Sequence, residues 1–440
     1  MAGHFLHYAA SHHTLMPLSR RMVLLLGLAA ACFGGPSEGG PLPVLRSQDR
    51  HLLEEVQRRA VLFFTECANP ASGLVRDRAS NSGKDTYDVA SIAATGYGLA
   101  ALPIGVERGW ITRKAAAAQA QRCLEFVLSM EHHHGWLYHF VDWRTGERRW
   151  SCEVSSIDTG LLVMGALICG QYFRGTPIQR LAERLYRRLD WTWMRTNGGQ
   201  KPAKLLLSHG WKPETGFLSH DWDAYCEHMF LYLLGIGAAG NRLPAASWTA
   251  WRRGSYEYAG IKTIAAGPIF WHHMAHGFYD FRGKKDRLGY DYYAASAAAI
   301  RIHRRFCIDN PTKRKGYGRF GWGLNASDGP DGYMAYGVPG PEDGTLSPTG
   351  VLASISYDPR AVLDTTHHLR STHGRRIWGR YGFCNAYNLD RDWFDPDVIG
   401  IDLGMALIAI ENYRSGLIWK LVQSHPSTAR AMATAGFHRR

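Results

Sequence analysis

Residues 150–173, WSCEVSSIDTGLLVMGALICGQYF, show a pattern that repeats through this chain: a polar loop with aromatic residues runs into an apolar segment with helical spacing. From residue 49 to residue 425 this alternation of loop and helix continues without a low-complexity linker. It predicts helices at about 49–67, 87–102, 112–130, 155–173, 177–196, 222–238, 289–307, 343–356, 359–373 and 400–414, with shorter helical pieces near 245–253 and 268–276. No segment alternates apolar and polar residues with period two between turn signals, so the expected fold class is all-α.

So many helices in one domain indicate either an α-solenoid or a closed helical toroid. A solenoid carries a sequence period, and none is visible here, so the toroid is favoured. We expect the domain to span residues 45–425, with a polar tail at 426–440. Three long loops, 131–154, 197–221 and 310–342, are rich in Trp, Tyr, Gly and His. Long loops inside a compact domain are usually functional, so we expect these aromatic loops at one end of the toroid.

Composition excludes several classes of protein. With 440 residues, 45% apolar and 20% charged, the chain is neither disordered nor fibrous and has enough material for a sizeable core. The net charge is +13, and the segment 282–319 alone carries eleven Lys/Arg against three Asp. No nucleic-acid motif accompanies this basic segment, so we interpret it as a solvated face and expect no nucleic-acid partner. Eight cysteines without a C-x-x-C pair do not make a disulfide scaffold.

Residues 1–40 are predicted to be an export signal and a short linker. Two arginines at 20–21 precede the apolar run 23–31, and small residues follow it, as in a signal peptide of the twin-arginine type. The residues before Met16 do not fit this pattern, so Met16 is the expected start. Cys32 follows three alanines and is a possible lipid anchor. No later segment reaches transmembrane length, so the mature protein is expected to be soluble or singly anchored. The export signal predicts that it lies in the periplasm or outside the cell.

The first group of chemically interesting residues lies where the quoted loop meets its helix. Glu153 precedes the predicted helix, and Asp158 lies in its first turn. Ser155 and Asp158 have the spacing of a capping box, so Asp158 has a purely structural explanation. Glu153 has none, and both carboxylates are candidates for catalysis.

A second acidic group precedes the apolar run that begins at Met229. Asp223 and Glu227 are four residues apart, and in a helix over 222–238 they would share a face. A carboxyl of Glu227 beside so apolar a helix is either paired or has a raised pKa. A raised pKa suits a general acid at neutral pH.

A third acidic group is Asp395, Asp397 and Asp402. Asp395 before Pro396 is a natural helix start, which makes capping the favoured explanation for Asp397. Asp402 precedes an apolar helix and is a candidate for the functional site.

Aromatic residues accompany these carboxylates in the loops. Core packing explains most aromatic residues in proteins, but loop tryptophans beside acids suit a sugar, whose C–H face stacks on a ring. The residues in question are Trp136, Tyr138, Trp143, Trp150, Trp211, Trp222, Tyr225, Trp322, Tyr333, Tyr336, Trp393 and Phe394.

Other motif matches carry little weight. Residues 316–321 satisfy G-x-G-x-x-G, but no strand precedes them and no apolar helix follows, so no dinucleotide cofactor is predicted. His272 and His276 are four residues apart, but H-E-x-x-H is absent, and we predict no metal.

Taken together, five separated segments make the chain resemble the glucoamylase-like domain family, which includes bacterial endo-β-1,2-glucanases of glycoside hydrolase family 144. The resemblance covers about residues 50–425. The five segments are Glu153–Asp158, Trp222–Glu227, Phe278–Lys284, Ala326–Tyr333 and Trp393–Asp402.

The resemblance implies an (α/α)6 toroid, export, and hydrolysis of β-glucan with inversion and without an obligatory metal or other cofactor. Glu227 falls in the family's acidic helix motif, and Glu153 and Asp158 fall in its other acidic segment. Our hypothesis is that Glu227 is the general acid and Asp158 the base or water-orienting group, with Glu153 as a further catalytic candidate. The expected substrate-binding residues are Trp150, Trp222, Asp223, Tyr225, Asp280, Arg282, Trp322, Asp328, Tyr333, Trp393, Asp397 and Asp402.

The residues leave alternatives open. The same fold would serve an exo-glucanase, a transglycosylase, or a polysaccharide lyase that uses the positive charge to hold an anionic polymer. A glycan-binding protein that has lost its chemistry is the non-enzymatic reading, since fold alone does not decide function. The glucan linkage and the endo or exo mode do not follow from the sequence.

Overall fold

The computed structural model describes residues 44–439. The predicted export signal, with Met16 and Cys32, lies outside the described residues. Within residues 44–439, none of the helices combines the length and the apolar character needed to cross a membrane.

The described chain is mostly helical. Its helices are α1 Ser47–Glu66, α2 Ile92–Glu107, α3 Arg113–Ser129, α4 Ser156–Tyr172, α5 Pro177–Arg187, α6 Trp191–Thr196, α7 Met229–Gly237, α8 Ser247–Ala250, α9 Met274–Phe278, α10 Tyr292–Asp309, α11 Pro348–Ala353, α12 Pro359–Ile377, α13 Gly400–Arg414, α14 Leu417–Gln423 and α15 Pro426–Ala435, with a 3-10 turn at Ile269–His272.

Short strands connect the helices. They are β1 Arg78–Ser80, β2 Val89–Ser91, β3 Phe140–Asp142, β4 Val154–Ser155, β5 Gly210–Lys212, β6 Gly216–Phe217, β7 Tyr256–Tyr258, β8 Ile261–Thr263, β9 Lys284–Lys285, β10 Ala326–Ser327, β11 Met334–Ala335, β12 Thr345–Leu346, β13 Trp378–Gly379, β14 Gly382–Phe383, β15 Tyr387–Asn388, β16 Trp393–Phe394, β17 Asp397–Ile399 and β18 His438–Arg439. All the pairs among them are antiparallel, and each spans two or three residues. Segments this short carry no visible period of two, which is why the sequence predicted none of them.

Most predicted helices are found within a few residues of their expected positions. The prediction for 222–238 is wrong in its first half, because α7 begins only at Met229 and residues 222–228 form a loop. The segment 177–196 is two helices, α5 and α6, and the segment 343–356 is β12 followed by the short α11. For 343–356 the reason is that a buried apolar stretch looks the same whether it is helical or extended.

Two kinds of helix make up the fold. Helices α2, α4, α7, α11 and α13 are buried on nearly every face. Helices α1, α3, α5, α10 and α12 bury one side and expose charged residues on the other. Apolar residues all round a helix indicate full burial, whereas one apolar stripe indicates an outer layer.

The buried helices pack against one another in succession. Helix α2 lies between α4 and α13, α4 also packs on α7, and α13 also packs on α11. Glycine permits the closest of these approaches: a Cβ at Gly165 of α4 would lie 1.9 Å from the carbonyl oxygen of Gly96 in α2. A Cβ at Gly404 of α13 would lie 2.2 Å from the ring of Tyr97 in α2.

Three of the buried helices begin directly after a short paired strand. Strand β2 leads into α2, β4 into α4 and β17 into α13. These strands pair with neighbouring loop strands, β2 with β3, β4 with β5, and β17 with β1. The pairing fixes where each helix starts and therefore where its first-turn side chains lie.

Residues 426–440, predicted as a polar tail, contain helix α15 and strand β18. Helix α15 packs on α7, and β18 pairs with β9 through His438 and Lys285. Its buried Ala431 and Ala435 join the hydrophobic core. The segment reads as polar because only one face of α15 is buried.

Candidate active site

His139 bridges two of the predicted carboxylates. Its Nδ1 lies 3.0 Å from Glu153 Oε1, and its Nε2 lies 3.5 Å from Asp158 Oδ2. Burial lowers the pKa of His139, but the negative charges of Asp158 and Glu153 and the hydrogen bond that His139 donates to Glu153 outweigh it and raise that pKa to about 9. At neutral pH His139 is therefore an imidazolium placed between Glu153 and Asp158.

The two carboxylates differ in their electrostatics. Burial tends to raise the pKa of Glu153, but hydrogen bonding and the charge of His139 lower it to about 2, so Glu153 stays ionised. Burial raises the pKa of Asp158, and the charges of Glu153 and Asp77 add to this effect. Asp158 also accepts a hydrogen bond of 2.6 Å from the Ser155 hydroxyl, while its backbone N–H donates to the same oxygen at 3.2 Å. The predicted cap at the start of α4 is thus present, and it coexists with the charge cluster.

His139, Glu153 and Asp158 are also close enough to one another to be considered as ligands of a metal ion. Donor atoms of His139, Glu153 and Asp158 lie within 4.8 Å of one another, and no other group of three or more His, Cys, Asp or Glu in residues 44–439 does so. Both ring nitrogens of His139 already face a carboxylate, so the arrangement is that of an ion triad.

Glu227 lies in the loop immediately before the first residue of α7, not on a helix face shared with Asp223. Protein surrounds its carboxyl, yet part of the residue remains accessible. Burial raises the pKa of Glu227 to about 7, and the negative charge of Asp158 contributes to the rise. The loop from α7 thus brings Glu227 within electrostatic reach of Asp158, although 69 residues separate them.

Asp402 is the third carboxylate, in the first turn of α13. Its two oxygens accept hydrogen bonds from two amides, Asn325 Nδ2 to Oδ1 at 3.1 Å and Asn385 Nδ2 to Oδ2 at 2.8 Å. Burial nevertheless raises its pKa to about 7, with a further contribution from the charge of Asp328.

A guanidinium joins the remaining acids to this group. Arg78 Nη1 donates to Asp328 Oδ2 at 2.7 Å, and Arg78 Nε donates to Asp77 Oδ2 at 3.3 Å. The charge of Asp77 acts on both Asp158 and Asp402. Asp77 is therefore electrostatically coupled both to the His139 triad and to Asp402, which links the acids into one group.

An open pocket of about 470 Å³ lies beside this cluster. Its lining includes Arg78, Tyr87 and Asp397, together with the exposed Lys84. Asp397 is in β17 rather than in a first helical turn, so its predicted capping role is wrong. It is partly accessible and faces the pocket.

Two of the predicted aromatic residues stand at this site. Tyr333 keeps 47% of its surface accessible, while burial of the phenol and the charges of Asp402 and Asp328 raise its pKa. Trp150 is 49% exposed and lies 5.1 Å from the ring of Phe140, which stacks on His139 at 3.8 Å. Both residues are therefore partly exposed beside the carboxylate group.

Three other predicted aromatic ligands are packing residues. Trp322 is 1% exposed, and its Nε1 donates to Thr365 Oγ1 in α12. Tyr225 is buried, with its hydroxyl 3.2 Å from His272 Nδ1. Trp222 is buried against the ring of His209 at 3.8 Å.

Trp222 nevertheless helps to build the site. Its Nε1 donates to Ser156 Oγ at 2.9 Å, and Ser156 is the first residue of α4. This bond ties the loop that carries Glu227 to the helix that carries Asp158.

Asp280 and Arg282 are not part of the acidic cluster. Arg282 forms a two-bond pair with Asp280 and lies over the ring of Trp419 at 4.2 Å, in a small cavity that Asn412 also lines. Asn412 and Asp402 are ten residues apart in α13, which places them roughly 15 Å apart along the helix axis. The pair therefore belongs to the opposite end of the helices.

Two further predicted ligands lie outside the cluster or at its edge. Asp223 is half exposed and pairs with the exposed Arg252 at 2.8 Å. Trp393 lies partly buried on β16, opposite Asn388 of β15.

Several residues of the site were missed in the sequence. They are His139, Asp77, Arg78, Asn325, Asn385 and His209, the last a partly accessible imidazole whose pKa burial lowers to about 4. Each comes from a loop or strand without a local motif, so no pattern in the chain marks it. Only the position of Asp77 and Arg78 gave a weak signal. Asp77 immediately precedes β1, Arg78 begins it, and β1 pairs with β17.

Comparison with known proteins agrees with this architecture. The family model described as "Putative glucoamylase" matches residues 219–426. The crystal structure of a putative glucoamylase from Bacteroides uniformis ATCC 8492 superposes with a TM-score of 0.83 at 31% identity, covering 90% of this chain and 99% of that one. The chain belongs to the glucoamylase-like family.

Two further members of its neighbourhood have named activities. An endo-β-1,2-glucanase from Chitinophaga pinensis, solved with sophorotriose and glucose, has a TM-score of 0.82 at 27% identity, covering 90% of this glucoamylase-like chain and 99% of that one. An exo β-1,2-glucooligosaccharide sophorohydrolase (non-reducing end) from Parabacteroides distasonis is 28% identical over 424 residues. The alignment covers 87% of this chain but only 57% of the length of that relative.

Proposed function

We propose that this protein is a glycoside hydrolase that cleaves β-1,2-glucan by acid/base hydrolysis with inversion. The observation that carries the proposal is the relationship of Glu227 to the triad: a carboxyl with a pKa of about 7 feels the charge of Asp158, which lies 3.5 Å from the His139 ring that also contacts Glu153. The relatives from Chitinophaga pinensis and Parabacteroides distasonis support the linkage.

Glu227 is the general acid in this proposal. With a pKa of about 7 it is protonated in a large fraction of molecules at neutral pH, and it hands that proton to the glycosidic oxygen as the bond breaks. The negative charge of Asp158 favours retention of the proton until the leaving oxygen takes it.

Asp158 is the base. An inverting enzyme needs a carboxylate that activates water on the opposite face of the sugar, roughly 6.5–9.5 Å from the acid. Glu153 has a pKa of about 2 and is too weak a base, whereas burial raises the pKa of Asp158 and with it the basicity of the anion. Glu153 and His139 then hold Asp158 in place and keep the cleft negative, which stabilises positive charge that develops on the sugar.

The wider architecture in the proposal is an (α/α)6 toroid with the aromatic loops at the end that carries the acids. The packing order of the buried helices, α7, α4, α2, α13 and α11, supports an inner ring.

Residues 16–40 direct export of the chain by the twin-arginine route to the periplasm or beyond. Detection of the mature protein in periplasmic extract tests this.

The direct test is incubation of the purified protein with linear β-1,2-glucan, using β-1,3-, β-1,4- and α-1,4-glucans as controls. Early NMR spectra of the products should show the α-anomer at the new reducing end, because inversion converts the β-linkage. Retention of the β-anomer contradicts the mechanism, and an unsaturated product absorbing in the ultraviolet would make the enzyme a lyase. Binding without turnover would make it a glycan-binding protein.

An exo mode of cleavage is the second candidate, because the Parabacteroides distasonis relative is named as an exo β-1,2-glucooligosaccharide sophorohydrolase. Size analysis of the early products separates the two modes. Endo cleavage yields a range of oligosaccharides, and exo cleavage yields a single disaccharide.

A further inference from the structure

Asn325 and Asn385 come from different loops, yet they hold the two oxygens of one carboxylate. Asn325 donates to Asp402 Oδ1 and Asn385 donates to Asp402 Oδ2. All three side chains are buried, with exposed fractions of 1% for each asparagine and 3% for Asp402. The contacts join the residue before β10, the bend after β14 and the first turn of α13.

The orientation of each amide is fixed from its other end. The Asn325 Oδ1 accepts a 3.0 Å hydrogen bond from the backbone N–H of Phe270, and the Asn385 Oδ1 accepts one of 2.9 Å from the backbone N–H of Asp328. A flipped amide would present its NH2 group to a backbone donor and its oxygen to a carboxylate. Both amides must therefore point their N–H groups at Asp402.

Among the described residues, Asp402 does not take part in a side-chain cap of its helix, nor does it form an ion pair. The residue immediately before α13 is Ile399. It has no side-chain oxygen, so the helix has no side-chain cap at its start. The hydrogen-bond partners of Asp402, Asn325 and Asn385, are neutral amides, and the charges of Asp328 and Asp77 oppose its ionisation. The hydroxyls of Tyr97 and Tyr333 are the other titratable groups close enough to feel its charge, and Arg78 is held by Asp77 and Asp328.

We propose that Asn325 and Asn385 are positioning residues that hold Asp402 as a planar, two-oxygen acceptor for a pair of neighbouring hydroxyl groups of one sugar unit. This inference rests on the proposed function and adds a basis for linkage choice. One amide donor on each oxygen leaves each with a free lone pair, and two such lone pairs match the two O–H donors of a vicinal diol. A β-1,2-glucan keeps the 3- and 4-hydroxyls of its internal units free, whereas a 1,3- or 1,4-linkage removes one of them.

The buried Tyr97 hydroxyl supports a ligand in this place. It has no hydrogen-bond partner although its residue is 2% exposed, and the charges of both Asp402 and Asp158 act on it. A buried hydroxyl without a partner is costly, so it marks a place where a water molecule or a substrate hydroxyl belongs.

The test compares Asn385→Ala with a matched control, Asn388→Ala. Asn388 is a fully buried asparagine three residues further on, but its amide donates to the backbone carbonyl of Asp343 and to Thr345 Oγ1 instead of a carboxylate. Thermal unfolding of both variants and of the wild type is measured from pH 5 to pH 9. Asn325→Ala is the second variant in case Asn385→Ala does not fold.

The loss of an amide donor makes ionised Asp402 more costly. We therefore expect the Tm deficit of Asn385→Ala to grow as the pH rises through about 7, whereas the deficit of Asn388→Ala stays constant with pH. Adding Asp402→Asn to the Asn385→Ala background should remove that growth. A deficit that is the same at every pH in both asparagine variants would make the pair merely structural and would overturn the proposal.

Kinetics on β-1,2-glucan supplies the second readout. Asn385→Ala should move the acid limb of kcat/KM to higher pH and raise KM more than it lowers kcat, leaving the alkaline limb of Glu227 in place. If the unfolding result holds but no β-1,2-glucan is cleaved, the proposed function fails and the positioning of Asp402 stands. If cleavage is normal and KM is unchanged in Asn385→Ala, the role in substrate binding fails and the proposed function stands.

Discussion

Asp158 and Asp402 are each the third residue of their helices, α4 and α13, but only Asp158 is hydrogen-bonded to the residue that caps the start of its own helix. Ser155 caps α4 and donates to Asp158, whereas Ile399 cannot cap α13. The partners differ in charge as well, because Asp158 faces the His139 cation and Asp402 faces two neutral amides. Equivalent positions in two helices thus give two carboxylates with different electrostatics, which suits a division of labour.

Removal of the proposed acid should abolish turnover without unfolding the protein. We expect Glu227→Gln to lower kcat on β-1,2-glucan by about 10²- to 10⁴-fold, the usual contribution of a general acid. Its Tm at neutral pH should not fall, because the amide avoids the burial of a charge. Reducing-sugar release and circular dichroism measure the two effects.

The control for that variant is Asp223→Asn in the same loop. Its carboxylate is half exposed and pairs with Arg252 at the surface, where such a pair contributes at most about 1 kcal/mol. Activity within a few-fold of wild type is expected. An equal loss in both variants would show that the loop, and not the Glu227 carboxyl, is what matters.

The alkaline side of the pH profile should report Glu227. Burial raises its pKa to about 7, so the protonated form that the reaction needs disappears above that pH. We expect kcat/KM to fall about tenfold per pH unit above neutrality, since this quantity follows the ionisation of the free enzyme. A profile that stays flat up to pH 9 would contradict the assignment.

The His139 triad should give stability that depends on pH in the opposite sense to a paired acid. The pKa of His139 is about 9 in the folded protein and near 6.5 in the unfolded chain. Its contribution to the free energy of unfolding is therefore complete below about pH 6.5 and is lost as the pH rises through 9. His139→Gln should therefore lower the free energy of unfolding by on the order of 2 kcal/mol at pH 6 and by little at pH 10. Urea unfolding across this range decides the matter; a pH-independent difference would mean that His139 is neutral.

Two tryptophans predicted to bind sugar should behave differently when changed to alanine. Trp150 is 49% exposed beside the triad, so Trp150→Ala should raise KM about 3- to 10-fold, as expected for a lost stacking contact of about 0.5–1.5 kcal/mol. Its unfolding free energy should change little. Steady-state kinetics and urea unfolding measure both.

Trp322→Ala is the counterpart. The ring is 1% exposed and hydrogen-bonded to Thr365, so the cavity left behind should cost about 3–5 kcal/mol of stability. KM of the folded fraction should stay near the wild-type value. A KM effect as large as that of Trp150→Ala would return Trp322 to the substrate site.

Sequence patterns located the secondary structure better than the side chains. The predicted helix at 400–414 coincides with α13, because fifteen residues of apolar spacing have no competing interpretation. The loop that carries Glu227 was predicted as helix, because an apolar run beginning at Met229 does not reveal where its first turn starts. The burial of aromatic residues was the least predictable feature. Trp150 and Trp322 both lie in predicted loops, but Trp150 is 49% exposed and Trp322 is 1% exposed.

By itself, the sequence determined that the chain is mostly helical and that Glu153, Asp158 and Asp402 lie where loops meet helices. Spacing and turn chemistry are local, so they can be read from neighbouring residues. Only the tertiary structure decided that His139 lies between two of these carboxylates and that two distant asparagines hold another. A pKa depends on what lies within a few ångströms in space, and those neighbours come from segments far apart in the chain.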